Sequence, residues 1–458
     1  MKKYPSRFCA LLLVFVLLLP LLPTHAFAVE DPNILAEHVL LMDANHDEVL
    51  YEKAADEKAY PASITKVMTA LLVFEAIDRG ELTLDTVVTP TSAITYDLSA
   101  DGSSLGIKPG EQMTVNNLLH CMLIASANEA CNILAEAVCG DISTFIERMN
   151  TRAQELGCTG THFSNAHGLH QNDHYTTAHD IYLFVKAAME YKVFREIVDT
   201  ERYTVPATNL SEERTFYTTN ALISNWKYIG YTYSNAIGIK TGHTPEAGQC
   251  LVAAAVDGDD YLISVVLGAQ VVTRADGTTD QQSFSETKRL FQWGFDNFER
   301  RTILDGQSLM REVKVAYSPD KDYVVVQPAG ALEYTLPKDV AEEDFTFTVN
   351  LPSEPVEAPI EKGQVLGTVT ISYDGREYGT VDLVANASLS RSAWLYRLAV
   401  LQNLWSTTWF KIVVLLVAVA IVVLVLRLTL FRRSRRFTGH RRRAYRGNRR
   451  YTGGRRRR

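Results

Sequence analysis

Pro61-Ala62-Ser63-Ile64-Thr65-Lys66 lies between a strand–turn–strand pattern and a long apolar helix pattern, and the rest of the chain is read outward from it. Ser63 and Lys66 are three positions apart, so on a helix they share one face about one turn from each other. A serine hydroxyl is a poor nucleophile until a neighbour takes its proton. An amine can take it only when burial or nearby positive charge lowers its pKa. Alone the pattern is weak. Ser-x-x-Lys turns up about once or twice by chance in a chain this long, and a serine at a helix start is usually a cap.

Upstream, Val39-Leu40-Leu41-Met42 and Val49-Leu50-Tyr51 flank Asp43-Ala44-Asn45-His46-Asp47 as strand, turn and strand. Downstream, apolar spacing from Val67 to Phe74 predicts a helix stopping at Gly80, and 102–110 reads as loop. Thr114 caps a helix bearing Val115, Leu118, Leu119, Met122 and Leu123. A second helix over 130–138 ends at Gly140, and a third with Phe145, Met149, Ala153 and Leu156 ends at Gly157. Thr177-Ala178-His179-Asp180 opens another in the manner of a capping box. From Ala236 onward the pattern is strand-rich. Runs 251–256 and 261–267 are joined by Asp257-Gly258-Asp259-Asp260, a hairpin signal, and a helix over 285–298 covers the sheet. Helices clustered between early and late strands predict an α+β, mixed α/β domain over 29–300. Beyond Arg301, short β-rich runs broken by Pro, Gly and Asp predict a small all-β domain over 301–388, with no concentration of chemical residues.

The ends carry different information. Lys2, Lys3 and Arg7, an apolar run over 8–22 and Ala26-Phe27-Ala28 read as a secretory signal over 1–28. An uncleaved anchor is the alternative, for which the run is short. Residues 405–427 read as a transmembrane helix, preceded by an interfacial amphipathic segment over 389–404 with Leu395, Leu398 and Leu401 at helical spacing. Fifteen arginines and no acid follow from Arg427 to Arg458, so the tail 428–458 is expected on the cytoplasmic side. Binding of nucleic acid or acidic lipid is the alternative for that tail. The net charge of −7 hides this asymmetry: without tail and signal the exported part carries about −25, which argues against nucleic-acid binding there. Of six cysteines, Cys9 falls in the signal. Cys121, Cys131, Cys139, Cys158 and Cys250 are an odd set read as buried free thiols, with one bridge at most.

Two further triplets change the weight of Ser63. Ser126-Ala127-Asn128 sits between two apolar helices, and Lys240-Thr241-Gly242 sits on an expected edge strand, where Gly242 lets a ligand backbone approach. Each is common alone. In this order and in these contexts, Ser-x-x-Lys, Ser-x-Asn and Lys-Thr-Gly form a specific signature.

Over residues 30–390 the chain resembles the serine D-alanyl-D-alanine carboxypeptidases of peptidase family S11, the low-molecular-mass penicillin-binding proteins. Gly102-Ser103-Ser104, His167-Gly168-Leu169, Trp293-Gly294-Phe295 and Lys362-Gly363-Gln364 carry the likeness further. The resemblance implies a penicillin-binding/β-lactamase-like transpeptidase domain, a small β domain and a C-terminal transmembrane helix. It implies Ser63 as nucleophile, Lys66 as its base kept neutral partly by Lys240, Ser126 as proton relay and Asn128 as holder of Lys66 and substrate. Lys240 and Thr241 would take the terminal carboxylate, with Gly242 beside them, and the amides of Ser63 and His243 would form the oxyanion hole. The implied partners are peptidoglycan peptides ending in D-Ala-D-Ala, β-lactam inhibitors and the cell membrane, with no cofactor and no metal. Some relatives use an arginine just before the last helix for that carboxylate. Here Ser283 falls in its place, and the nearest arginine is Arg274.

Three other readings compete. A β-lactamase shares Ser-x-x-Lys, but its usual class A form has Ser-Asp-Asn and a Glu-x-x-Leu-Asn stretch that this chain lacks. A non-catalytic β-lactam sensor or wall-binding protein needs an intracellular output domain, which an Arg-rich tail is not. A metal site is suggested by His162, His167, His170, His174 and Asp173, although their spacings match no standard zinc pattern.

Overall fold

The computed structural model describes residues 29–434 apart from 101 and 354; the segment 1–28, expected to be a signal, and most of the Arg-rich tail fall outside the described residues. In chain order its elements begin with strands β1 (His38–Asp43) and β2 (Glu48–Lys53), helix α1 (Thr65–Asp78) and the short strands β3 (Val87–Val88) and β4 (Met113–Thr114). Helices α2 (Val115–Leu123), α3 (Asn128–Cys139), α4 (Ile142–Glu155), α5 (Ala178–Met189) and α6 (Lys192–Val198) follow, then a small hairpin of β5 (Arg202–Val205) and β6 (Arg214–Tyr217). The chain then enters β7 (Ala236–Thr244), β8 (Gly248–Asp257), β9 (Asp260–Ala269), the hairpin β10 (Val271–Thr273) and β11 (Thr279–Gln281), and α7 (Gln282–Asn297).

Five strands make one antiparallel sheet in the order β2-β1-β9-β8-β7. Its two faces follow from the period-two alternation of side chains. Leu40, Met42, Val252, Ala254, Ile263 and Val265 face the helical side, whereas Leu41, Leu251, Ala253, Ala255, Leu262 and Val266 face α7. Both faces are buried, which is why β8 and β9 read as unbroken apolar runs rather than alternating ones. Helix α7 lies close because Gly294 has no Cβ: one would stand 2.9 Å from Leu262 Cδ1 and 3.0 Å from Leu41 Cδ2.

Helix α1 is buried all round from Thr65 to Phe74, as a helix at the centre of a core must be. It packs against α3 and α5. The expected caps are present. Thr114 Oγ1 accepts the Asn117 amide, Thr177 Oγ1 accepts the Asp180 amide, and Gly140 ends α3 in the left-handed region at φ +81°. Cys121, Cys131, Cys139, Cys158 and Cys250 are all free, and all but Cys139 are buried.

Beyond α7 the chain is shared between two compact units. The expected helix over 285–298 ends at Asn297, and β12 (Phe298–Leu304) starts there. Of the described residues, one compact unit comprises 29–303 plus Glu333–Phe345; the other comprises Leu304–Leu332 and 346–434. The second unit holds β13 (Arg311–Ala316) and β14 (Tyr323–Pro328). The chain continues through β15 (Leu332–Pro337), which pairs with β12, and then β16 (Thr346–Asn350), β17 (Val356–Glu357), β18 (Val365–Tyr373) and β19 (Arg376–Ala385). Six of these make a sheet in the order β16-β18-β19-β14-β13-β17. After it come α8 (Ala393–Ser406) and α9 (Thr408–Ser434), separated by the extended residue Thr407. Within α9, the 22 residues Thr408–Thr429 are long and apolar enough to cross a membrane, and none is buried in the protein.

Phe291 anchors α7 to the sheet and is fully buried. Phe291→Ala is expected to lower unfolding free energy by about 3–5 kcal/mol, read from the urea midpoint of the purified protein. A loss under about 1 kcal/mol would mean that α7 is not integral to the fold.

Candidate active site

The turn Ala62–Ile64 is a 3-10 turn that leads into α1. Ser63 does not cap the helix: Ile64 holds the cap position without a side-chain bond, and the Ile64 amide donates to Pro61 O at 3.1 Å. The Ser63 hydroxyl is left free of capping and instead accepts from Lys66 Nζ at 2.8 Å. Ala62 sits at φ +47°, and its carbonyl accepts from Thr65 Oγ1 at 2.8 Å. Thr65 Oγ1 in turn lies 2.8 Å from His174 Nε2, while His174 Nδ1 accepts the Ser164 amide at 3.0 Å. Those partners assign the proton to Nε2. Burial pushes the His174 pKa down to about 3, so the ring is neutral and braces the turn.

Lys66 lies one turn along α1, fully buried. Besides Ser63 Oγ, its Nζ donates to Asn128 Oδ1 at 2.7 Å and to the His167 carbonyl at 2.6 Å. Burial lowers its pKa from 10.5 to about 8. Burial is the cause of this shift, not the charge of Lys240 that the resemblance implies. A neutral amine has two N–H bonds and one lone pair. As an ammonium Nζ donates to all three oxygens; on losing a proton it keeps its two N–H bonds on the carbonyl oxygens and turns its lone pair to accept the Ser63 O–H.

Each acceptor is held from elsewhere. Asn128 opens α3, and its amide donates to Ser103 O at 2.9 Å. His167 O is presented by a loop folded on Asn165, whose Oδ1 accepts the Gly168 amide at 2.7 Å. Gly168 has φ +89°, and a Cβ there would stand 1.9 Å from Ala62 O, so only glycine lets this loop reach the nucleophile turn.

Lys240 and the two residues after it come from β7, the sheet edge. Lys240 is 1 % exposed, and its Nζ donates to Ser126 Oγ at 3.2 Å and Thr241 O at 2.8 Å. It therefore stands behind Ser126, which holds a left-handed φ of +63° in the α2–α3 connection. Burial, and then the neighbouring Lys66, pull the Lys240 pKa well down. Gly242 also makes room for the protein's own backbone. A Cβ there would lie 3.0 Å from Pro61 O and 3.1 Å from Ser63 N, so it admits the protein's own turn and brings the amide of exposed His243 near that of Ser63.

Ser63, Ser126, Asn128, Thr241, Gly242 and His243 line one cleft of about 250 Å³. Lys66 and Lys240 lie beneath its surface. Two of its supports were not singled out in the sequence. Thr219 lines the cleft with its Oγ1 2.5 Å from Thr241 Oγ1. Buried Glu129 accepts Ser104 Oγ at 2.8 Å and the Leu105 amide at 2.6 Å, pinning the Gly102 loop beside Asn128. The adjacency of Glu129 to Asn128 was the available signal; nothing local marks Thr219.

The histidines do not converge. His162 Nδ1 lies 2.6 Å from Asp173 O, His170 packs edge-on against Tyr60, and His174 braces the turn. Among the described residues no three His, Cys, Asp or Glu are grouped to hold a metal. Ser283 is buried, and Arg274 is exposed and paired with Asp280 at 2.9 Å.

The model for the D-alanyl-D-alanine carboxypeptidase family, peptidase S11, matches residues 25–271, and that for the C-terminal domain of penicillin-binding protein 5 matches 298–391. The chain is 32% identical over 395 residues to D-alanyl-D-alanine carboxypeptidase DacC of Escherichia coli, covering 84% of this chain and 92% of that one. It is 29% identical over 397 residues to DacF of Bacillus subtilis, covering 85% and 96%. The solved structure of penicillin binding protein 5 from Haemophilus influenzae superposes with a TM-score of 0.62 at 29% identity, covering 80% of this chain and all of that one. Family model, full-length relatives and backbone agree, and the chain belongs to the peptidase S11 family of D-alanyl-D-alanine carboxypeptidases.

Proposed function

We propose that this cleft removes the terminal D-alanine from cell-wall stem peptides, with Ser63 as the nucleophile. The observation that carries the reading is the buried Lys66 amine 2.8 Å from Ser63 Oγ, with a pKa lowered to about 8. Ser63 Oγ attacks the carbonyl carbon between the two D-alanines as its proton passes to Lys66 Nζ. The amides of Ser63 and His243 take the developing oxyanion. As the C–N bond breaks, the leaving amine receives a proton through the Ser126 hydroxyl, which Lys240 orients; Lys66 supplies that proton. Asn128 holds Lys66, and its Nδ2 is available to the substrate. The Thr241 hydroxyl receives the terminal carboxylate, with Gly242 giving β7 its close approach and Lys240 behind. Water, deprotonated in turn by Lys66, releases the shortened peptide. A β-lactam follows the same first step, but its leaving nitrogen stays tethered and the acyl-enzyme stalls. The family's carboxypeptidases support this reading over a β-lactamase or a sensor.

The same proposal sets the topology: signal over 1–28, catalytic and β domains outside, α9 through the cell membrane and the Arg-rich tail in the cytoplasm. Protease added to intact cells should then remove the catalytic domain and spare a tag at residue 458.

Ser63→Ala should cut D-alanine release from a D-Ala-D-Ala peptide by at least about a thousandfold; undiminished release would sink the mechanism. The base must be neutral, so acylation should accelerate as pH rises through about 8 and then level off. A rate that is flat from pH 6 to 10 would exclude Lys66 as the base. Gly168→Ala should slow acylation about a hundredfold by displacing the nucleophile turn, read with a fluorescent penicillin.

A further inference from the structure

The terminal carboxylate lacks a cation in the site as described so far. The hydroxyls of Thr219 and Thr241 are 2.5 Å apart and share one hydrogen bond, which leaves one O–H to donate outward. Lys240 does not line the cleft, and its N–H groups are engaged by Ser126 Oγ and Thr241 O. Ser283 stands where an arginine would be, and Arg274 is paired with Asp280. A carboxylate left with one neutral donor is under-satisfied, and the acidic exported domain opposes its approach.

The loop between β6 and β7 brings a candidate to this place. Lys227 lines the cleft together with Thr219, Tyr228, Thr241 and Phe284. It is exposed, with Nζ 5.3 Å from the centre of the Tyr228 ring. Tyr228 packs on Phe284 with ring centres 6.0 Å apart, and Phe284 directly follows Ser283 in the first turn of α7. Among the described residues no carboxylate forms an ion pair with Lys227. We infer that Lys227 is the carboxylate-recognising cation of this enzyme, delivered by the β6–β7 loop to the side of the cleft that Ser283 leaves uncharged. The inference rests on the carboxypeptidase reading above. Lys227 Nζ and the Thr219–Thr241 hydroxyl pair then grip the two oxygens of the carboxylate, and the charge of Lys227 selects free C-termini over blocked ones.

The test uses the full-length protein and a peptide ending in D-Ala-D-Ala, with its C-terminal amide as control. Lys227→Met should raise KM for the free acid about five- to tenfold with kcat little changed, leave the amide unaffected and flatten the salt dependence of kcat/KM. Lys227→Arg should restore KM to within about threefold. An unchanged KM for the free acid, or an equal rise for the amide, would overturn the assignment. Acylation by benzylpenicillin, which also carries a carboxylate, separates the two readings. If wild type releases no D-alanine, the hydrolytic reading fails, and slower penicillin acylation of Lys227→Met than of wild type still supports the cation. Equal acylation rates would remove it.

Discussion

The burial of the Lys66 amine is the constraint on which the site depends. An ammonium taken out of water is costly unless paired, and no carboxylate bonds to this one. Its contacts are a hydroxyl and two carbonyl oxygens, with no countercharge, so burial lowers its pKa to about 8 and brings the neutral form within reach. Reaching that state requires a helix with no wet face. That is why α1 is apolar all round, with Thr65 and Thr69 bonded to the backbone through their hydroxyls. The neutral base is therefore a product of the core.

The second buried lysine follows from the same constraint. Lys240 is held behind Ser126, and its burial together with the neighbouring Lys66 disfavours charge on it. The pair suits a reaction in which one proton is taken from Ser63 and returned to a leaving amine. Neither site needs a second proton of its own, and Ser126 lies on the path with a left-handed backbone that aims its hydroxyl into the cleft.

The sheet, the helices and their caps were legible because they follow local rules. Short apolar runs either side of an Asp/Asn-rich turn marked β1 and β2, unbroken apolar runs marked β8 and β9, and Thr114, Thr177 and Gly140 marked helix ends. The three motifs marked the catalytic side chains. What stayed hidden depends on contacts between residues far apart in sequence. Gly168 is needed because of Ala62, Gly242 because of Pro61, and Thr219 matters only beside Thr241. The pairing of β12 with β15 was hidden too, since apolar residues in β12 are broken by Glu299, Arg300 and Arg301. The helix cap assigned to Ser63 failed for an instructive reason: a 3-10 turn satisfied the helix end and released the hydroxyl for chemistry.

The two glycines also explain how a helix-borne nucleophile meets a strand-borne binding site. The turn at 61–63 is squeezed between the loop at Gly168 and the strand at Gly242, each approaching to a distance that a Cβ would forbid. This fixes the turn from both sides, so a residue at φ +47° such as Ala62 is held without side-chain caps. It also sets the backbone nitrogen of Ser63 against β7, one residue from the amide of His243. Two amides contributed by separate elements can point at one oxygen only if the elements nearly touch. The electrostatic end of the mechanism thus rests on absent side chains, and its acid–base end on buried ones.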